Sequence, residues 1–225
     1  MRGWLGVMDG PQVVGHDAPW RLGGIIIQPA HIVLGLRPWE DAFEGVITPP
    51  DAAPIPWVCF DLEKIIRMML HQSGLALTLL AGVTIEAGPV NPRAIAANAI
   101  THAQLHHWRD VTAPGVADPP ADPVRWLGLV RQLLTGVLLA EHAHFMAWLP
   151  AQRPHAPAPL GALIGELLDG APLTEQARQD SAPALSALWH RMDPARPSAL
   201  PERPSGYEAL NALLVQARLD AATHR

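Results

Sequence analysis

VVGHDAPWRLGGIIIQP, residues 13–29, is the stretch on which the fold turns. Ile25, Ile26 and Ile27, set between Gly24 and Pro29, read as a short buried strand. β-branched side chains suit a pleated, covered surface, and glycine and proline suit its ends. Pro19, Trp20 and Arg21 stand at the entry to that strand. Asp17 is the only acid between Gly10 and Glu40, so the turn brings one carboxylate and no pair.

Apolar runs and breakers alternate on both sides of this stretch. LGVM (5–8) precedes Asp9-Gly10-Pro11, a strong turn signal. HIVLGL (31–36) is either a strand or a short helix. TPPDAAPIP (48–56) is a loop, because each proline removes a donor and fixes φ, and WVCF (57–60) is a strand. At Asp61 the period changes. Leu62, Ile65, Ile66, Met69 and Leu70 share one helical face, with Asp61 as N-cap. LALTLLAG (75–82) predicts a second short helix ending at Gly82.

Asn91-Pro92 and Asp122-Pro123 each place a capping residue before a proline at the first helical position. They predict helices reaching to near Trp108 and Glu141, separated by the loop TAPGVADPPAD (112–122). AHFMAWLP (143–150) is a candidate strand and QRPHAPAP (152–159) a linker. Helices follow over 159–169 and 174–191, the second capped by Thr174, and a Pro-rich connection leads to a last helix over 206–222. Strands come first and helices afterwards. The expected class is α+β: a small mixed sheet with the first helices in 1–90, and a helical C-terminal region, 91–225, packed on it.

The chain has 225 residues, enough for one sizeable domain or two small ones. Its 49% hydrophobic content excludes global disorder. A net charge of -5 argues against a general polyanion-binding surface but leaves room for a local basic patch. Lys64 is the only lysine, and with 24 prolines this usage suits a GC-rich bacterial gene. Cys59 is alone, so no intramolecular disulfide forms, which fits a reducing compartment. MRGWLGVMDG lacks the charged and long apolar regions of a signal peptide. The most apolar helix is interrupted by Arg131 and Gln132 and falls short of the roughly 20 apolar residues of a membrane span. The expectation is a cytoplasmic protein without a membrane partner.

The ordered set of segments carries a resemblance. GGIIIQPAHIVLGL, WVCFDLEKIIRMMLHQSGLALTLLAG, NAITHAQLHHW, DPVRWLGLVRQLLTGVLLA and SALPERPSGYEALNALLVQAR resemble, in that order, bacterial predicted nucleotidyltransferases of the DNA polymerase β-type superfamily. The branch is the one that includes RNA-ligase-associated members. The resemblance implies a Gly-Ser turn after the first strand, an Asp-x-Asp pair on the next, and a third carboxylate from a later strand. Two Mg²⁺ ions held by those acids would clamp the attacking oxygen and the triphosphate.

This sequence departs at each of those stations. Gly6 matches the motif glycine, but Val7 stands where serine belongs. Counted back from Gly24, the acidic pair falls on Pro19 and Arg21, and PIPWVCF has no carboxylate before Asp61. One isolated Asp17 cannot hold two Mg²⁺ ions, and Arg21 would repel them. The expected function is therefore that of a nucleotidyltransferase-like pseudoenzyme, without cofactor, that binds nucleotide or RNA or serves a protein partner or a second copy of itself. The residues expected to meet nucleotide are Gly6, His16, Arg21, Lys64 and Arg67. The alternative is an active, Mg²⁺-dependent nucleotidyltransferase using Asp9, Asp17, Asp61 or Glu63.

The 11 histidines raise a third reading, a metal-dependent hydrolase. His102 and His106 are four apart on a predicted helix, and His142 and His144 follow Glu141. Ala103 stands where an HExxH motif needs glutamate, so these are ligand candidates only if the fold assembles them. A polar helix face, with histidines against Trp108, is the plainer alternative. Trp4 and Trp20 are candidates to cover a partner surface.

Overall fold

The computed structural model describes residues 2–9, 20–35, 38–71, 73–80 and 83–223. The class is α+β, as the order of segments predicts, with a mixed sheet near the N-terminus and a helical region after it. The chain divides into two compact units: Met1–Met8 with Pro19–Ile100 and Pro204–Arg225, and a second built on Thr101–Arg203. The sequence suggested one cut at residue 90. The structure instead returns the last helix to the first unit.

The first unit holds a five-stranded sheet in the order β3-β4-β2-β1-β5. The strands are β1 (Arg2–Asp9), β2 (Arg21–Ile27), β3 (Ala42–Ile47), β4 (Ile55–Asp61) and β5 (Val83–Glu86). β2 and β4 run parallel, with Leu22 beside Trp57 and Ile26 beside Asp61. β3 closes one edge antiparallel to β4, and β5 closes the other antiparallel to β1. Of HIVLGL, residues 31–33 lie in a single helical turn, α1 (Ala30–Val33), and Leu36 lies outside the described residues. α2 (Leu62–Leu70) buries Leu62, Ile65, Ile66 and Met69, four of the five residues its spacing predicts, against β2 and β4, and Leu70 is half-buried. α3 (Gly74–Leu80) and α4 (Pro92–Ala99) add Leu77, Leu79 and Ile95 to the same core. The expected end of α3 at Gly82 lies outside the described residues.

The helix expected from Pro92 to near Trp108 is in fact two. α4 stops at Ala99, and α5 spans Gln104–Ala117. The break has a local cause: the Gln104 side chain reaches back to accept from the Thr101 N–H and hydroxyl, the return half of a T-x-x-Q capping box. α5 then runs through Pro114, where a loop was expected. Thr112 bonds the Trp108 carbonyl, and Leu105, Trp108 and Thr112 form a buried stripe that holds the helix despite the proline.

α6 (Pro123–His142) is the hub of the second unit. Of its 20 residues 13 are buried, so it is covered nearly all round and is read as a core helix. It packs against α5, α7 (Leu149–Gln152), α8 (Ala158–Leu168) and α9 (Glu175–Arg191). Residues 143–148, expected as a strand, form no regular element. Gln152 instead donates to Thr135 Oγ1 of α6, which itself donates to the Arg131 and Met146 carbonyls. Gly170, just past the end of α8, has a φ of 91° that permits the paired bonds from Gly170 N–H to the Leu167 carbonyl and from Ala171 N–H to the Glu166 carbonyl. Thr174 caps α9 as expected, its hydroxyl accepting from Ala177 N–H. Among the described residues no helix is long and apolar enough to cross a membrane.

Candidate functional site

The carboxyl ends of the parallel strands β2 and β4 gather the polar groups of the first unit. β4 ends on Asp61, which is fully buried and caps α2 by accepting from Glu63 N–H at 2.9 Å. Its second oxygen accepts from Gln28 N–H, just past β2, at 3.2 Å. The last helix, α10 (Tyr207–Thr223), brings Arg218 to the same place. The guanidinium donates to Asp61 Oδ1 at 2.8 Å, to Glu63 Oε2 at 2.8 Å and to the Gln28 carbonyl at 3.1 Å. Its Cζ lies 5.5 Å from the centre of the Trp39 ring. Burial pushes the Asp61 carboxyl above the usual carboxylate range, while Glu63 N–H, Arg218 and Gln28 N–H pull it down. Desolvation of the charged form is the largest of these effects.

The cations of α2 are also paired. Lys64 donates to Asp41 at 2.9 Å, and Arg67, mostly exposed, meets the other oxygen of Glu63 at 2.6 Å. Glu63 thus lies between two guanidinium groups, those of Arg67 and Arg218. A phosphate arriving here would have to exchange with Asp41 or Glu63.

Of the residues expected to meet nucleotide, those that the structure describes do not converge. Arg21 is exposed at the opposite, amino end of β2, six residues at about 3.3 Å each from its carboxyl end. Gly6 does not form a turn at which backbone N–H groups could cradle phosphate. It lies inside β1 at a shift in register between Leu5 and Gly6, and the Trp4 indole covers its Cα. Trp4 is therefore core, not partner surface, whereas Trp20 is exposed. His16 and Asp17 lie outside the described residues, as does the side chain of Asp9. Of the alternative catalytic acids, Asp61 and Glu63 are thus the two whose side chains are placed, and both are held by Arg218.

The described histidines do not assemble. His102 and His106 sit edge to face with ring centres 6.4 Å apart, and His142 and His144 are exposed at the end of α6. Among the described residues no group of three or more His, Cys, Asp or Glu is arranged to hold a metal ion. His107 lies edge-on to Trp108, and burial lowers its imidazole below the ordinary histidine value. Cys59 is half-buried on β4, with burial raising its thiol.

Sequence reasoning missed Arg218 and Trp39 as members of the polar cluster. Arg218 interrupts the apolar spacing of ALLVQARL, but nothing in the sequence tells which acid it meets. Compared with known proteins, the chain matches no family model, no curated protein and no solved structure.

Proposed function

We propose that the chain is a nucleotidyltransferase-like protein that has given up catalysis and acts as a nucleotide- or RNA-binding or partner subunit. The observation that carries this reading is the fate of Asp61. It is the acid at the end of the strand from which the resemblance expects a metal-binding carboxylate. Its oxygens are spent on the α2 cap, the Gln28 N–H and Arg218. A carboxylate so engaged has little left to offer a hard divalent cation, which takes carboxylate oxygens directly. Further support comes from the side-by-side, parallel placement of β2 and β4, the two strands that would carry the acids. Arg21 stands where one acid of the pair belongs and adds repulsion in place of a ligand.

The test is nucleotide transfer with purified protein, Mg²⁺ and each ribonucleoside triphosphate, in parallel with Asp17→Ala. The expected result is no Mg²⁺-dependent product above that of the variant. Transfer that Asp17→Ala abolishes would overturn the reading.

A further inference from the structure

Helix α10 joins its unit late, after the whole of Thr101–Arg203 has intervened in the chain. Only two of its residues, Leu210 and Arg218, are buried. Tyr207, Val215 and Leu219 face solvent. α2, with about half the length, buries Leu62, Ile65, Ile66 and Met69. Apolar burial therefore holds α2, whereas α10 has a single deep apolar anchor and, for its second anchor, a guanidinium.

The two ends of α10 are held differently. At its start, Gly206 N–H donates to the Asn98 carbonyl at 3.3 Å, and the Gly206 Cα rests on the Asn98 side chain, a fit that a larger residue would not allow. Arg218 lies 12 residues on, or about 18 Å along the helix, and grips Gln28, Asp61 and Glu63. These acceptors mark the carboxyl ends of β2 and β4, the position where crevices outside parallel strands take ligands.

We propose that α10 is a releasable strap, hinged at Gly206 and clasped by Arg218 over the carboxyl ends of β2 and β4. Its undocking is a local event, distinct from unfolding of the sheet and α2. Release uncovers the Asp61 and Glu63 carboxylates and the Trp39 ring, so the strap governs access to that end of the sheet. The clasp is polar and directional: a competing partner for Glu63 or for the guanidinium loosens it without disturbing the apolar core. The inference stands on the geometry of α10 and does not depend on the nucleotidyltransferase reading.

Amide hydrogen exchange on the whole chain, read by mass spectrometry in water and in low urea, tests this. In the unsubstituted protein, peptides from 207–223 should exchange about tenfold or more faster than those from α2, through an opening that urea hardly promotes. Arg218→Met should accelerate 207–223 by about a hundredfold, still through an opening that urea hardly promotes, with 62–70 and 92–99 remaining the slower peptides, and Arg218→Lys should fall between. Exchange of 207–223 in step with α2, with the same urea dependence, would overturn the proposal. So would exchange of α2 and α10 at one common rate in Arg218→Met. Should Arg218→Met fail to fold, the urea dependence of the unsubstituted protein decides alone.

Discussion

Arg218 and Asp61, 157 residues apart in the chain, share a hydrogen-bonded ion pair of 2.8 Å in which both side chains are withdrawn from water. Removing one member of such a pair strands the other, whereas removing both does not. Arg218→Met should therefore cost about 3 kcal/mol in urea unfolding, and Asp61→Ala a similar amount, part of it from the lost α2 cap. The double variant should lose at least ~1 kcal/mol less than the sum. Strict additivity would mean that the two groups do not depend on each other.

Ala143 ends α6 with φ 49°, the only left-handed residue other than glycine among the described residues. A Cβ in that region is strained, and glycine relieves it. Ala143→Gly should raise stability by about 0.5–1 kcal/mol, seen as a higher melting temperature. A lower melting temperature would contradict the assigned cap.

Glu141 and Arg191 form a two-point pair on the surface of the second unit, with Nε and Nη2 each 2.8 Å from a carboxylate oxygen. The hydrogen bond from Arg191 holds the Glu141 carboxyl below its usual value. A depressed native value means that the stabilisation is present above the unfolded value and is lost as the pH falls through the native one. Because both groups remain about a third exposed, Glu141→Gln should cost under ~1 kcal/mol at neutral pH, and that cost should vanish once the pH has fallen through the depressed native value. A cost that persists in acid would point to packing in place of charge.

Asp61 carries the opposite sign. Its native value is raised by burial, so its contribution is greatest at acid pH and is lost as the pH rises through that value. The stability of the parent protein relative to Asp61→Asn should therefore increase on acidification from neutral pH. A flat difference across the acid range would show that the three donors around Asp61 cancel the effect of burial.

Gly24 and Gly128 give a paired test of packing. A Cβ on Gly24 would press on Cys59 Sγ and the Trp4 carbonyl, whereas one on Gly128, inside α6, would meet nothing within 4 Å. Gly24→Ala should destabilise by about 1–3 kcal/mol, and Gly128→Ala should stabilise by up to about 1 kcal/mol. Thermal unfolding of the two variants in opposite directions is the expected outcome.

Where the sequence had a period or a cap, the structure was legible. The triple isoleucine became β2, the face of α2 was read residue by residue, and Asp122, Thr174 and Asp61 cap the helices assigned to them. β3 was missed because AFEGVI is an edge strand with a mixed face, and its identity depends on pairing with β4. Pro114 misled because a buried stripe outweighs one lost hydrogen bond. The T-x-x-Q signal at Thr101 was present and unread. The polar cluster was half visible: Asp61 and Glu63 could be named, but Arg218 arrives from the far end of the chain. Such contacts are set by tertiary folding and leave no local spacing to read.

The proposed role of Asp61 and Glu63, to hold the fold and not a catalytic metal, is read by calorimetric titration. Each ribonucleoside triphosphate is added to the purified chain with and without Mg²⁺. Any nucleotide affinity is expected to be the same in both. An affinity strengthened about tenfold or more by Mg²⁺ would mean that a working metal site survives, and would contradict that role.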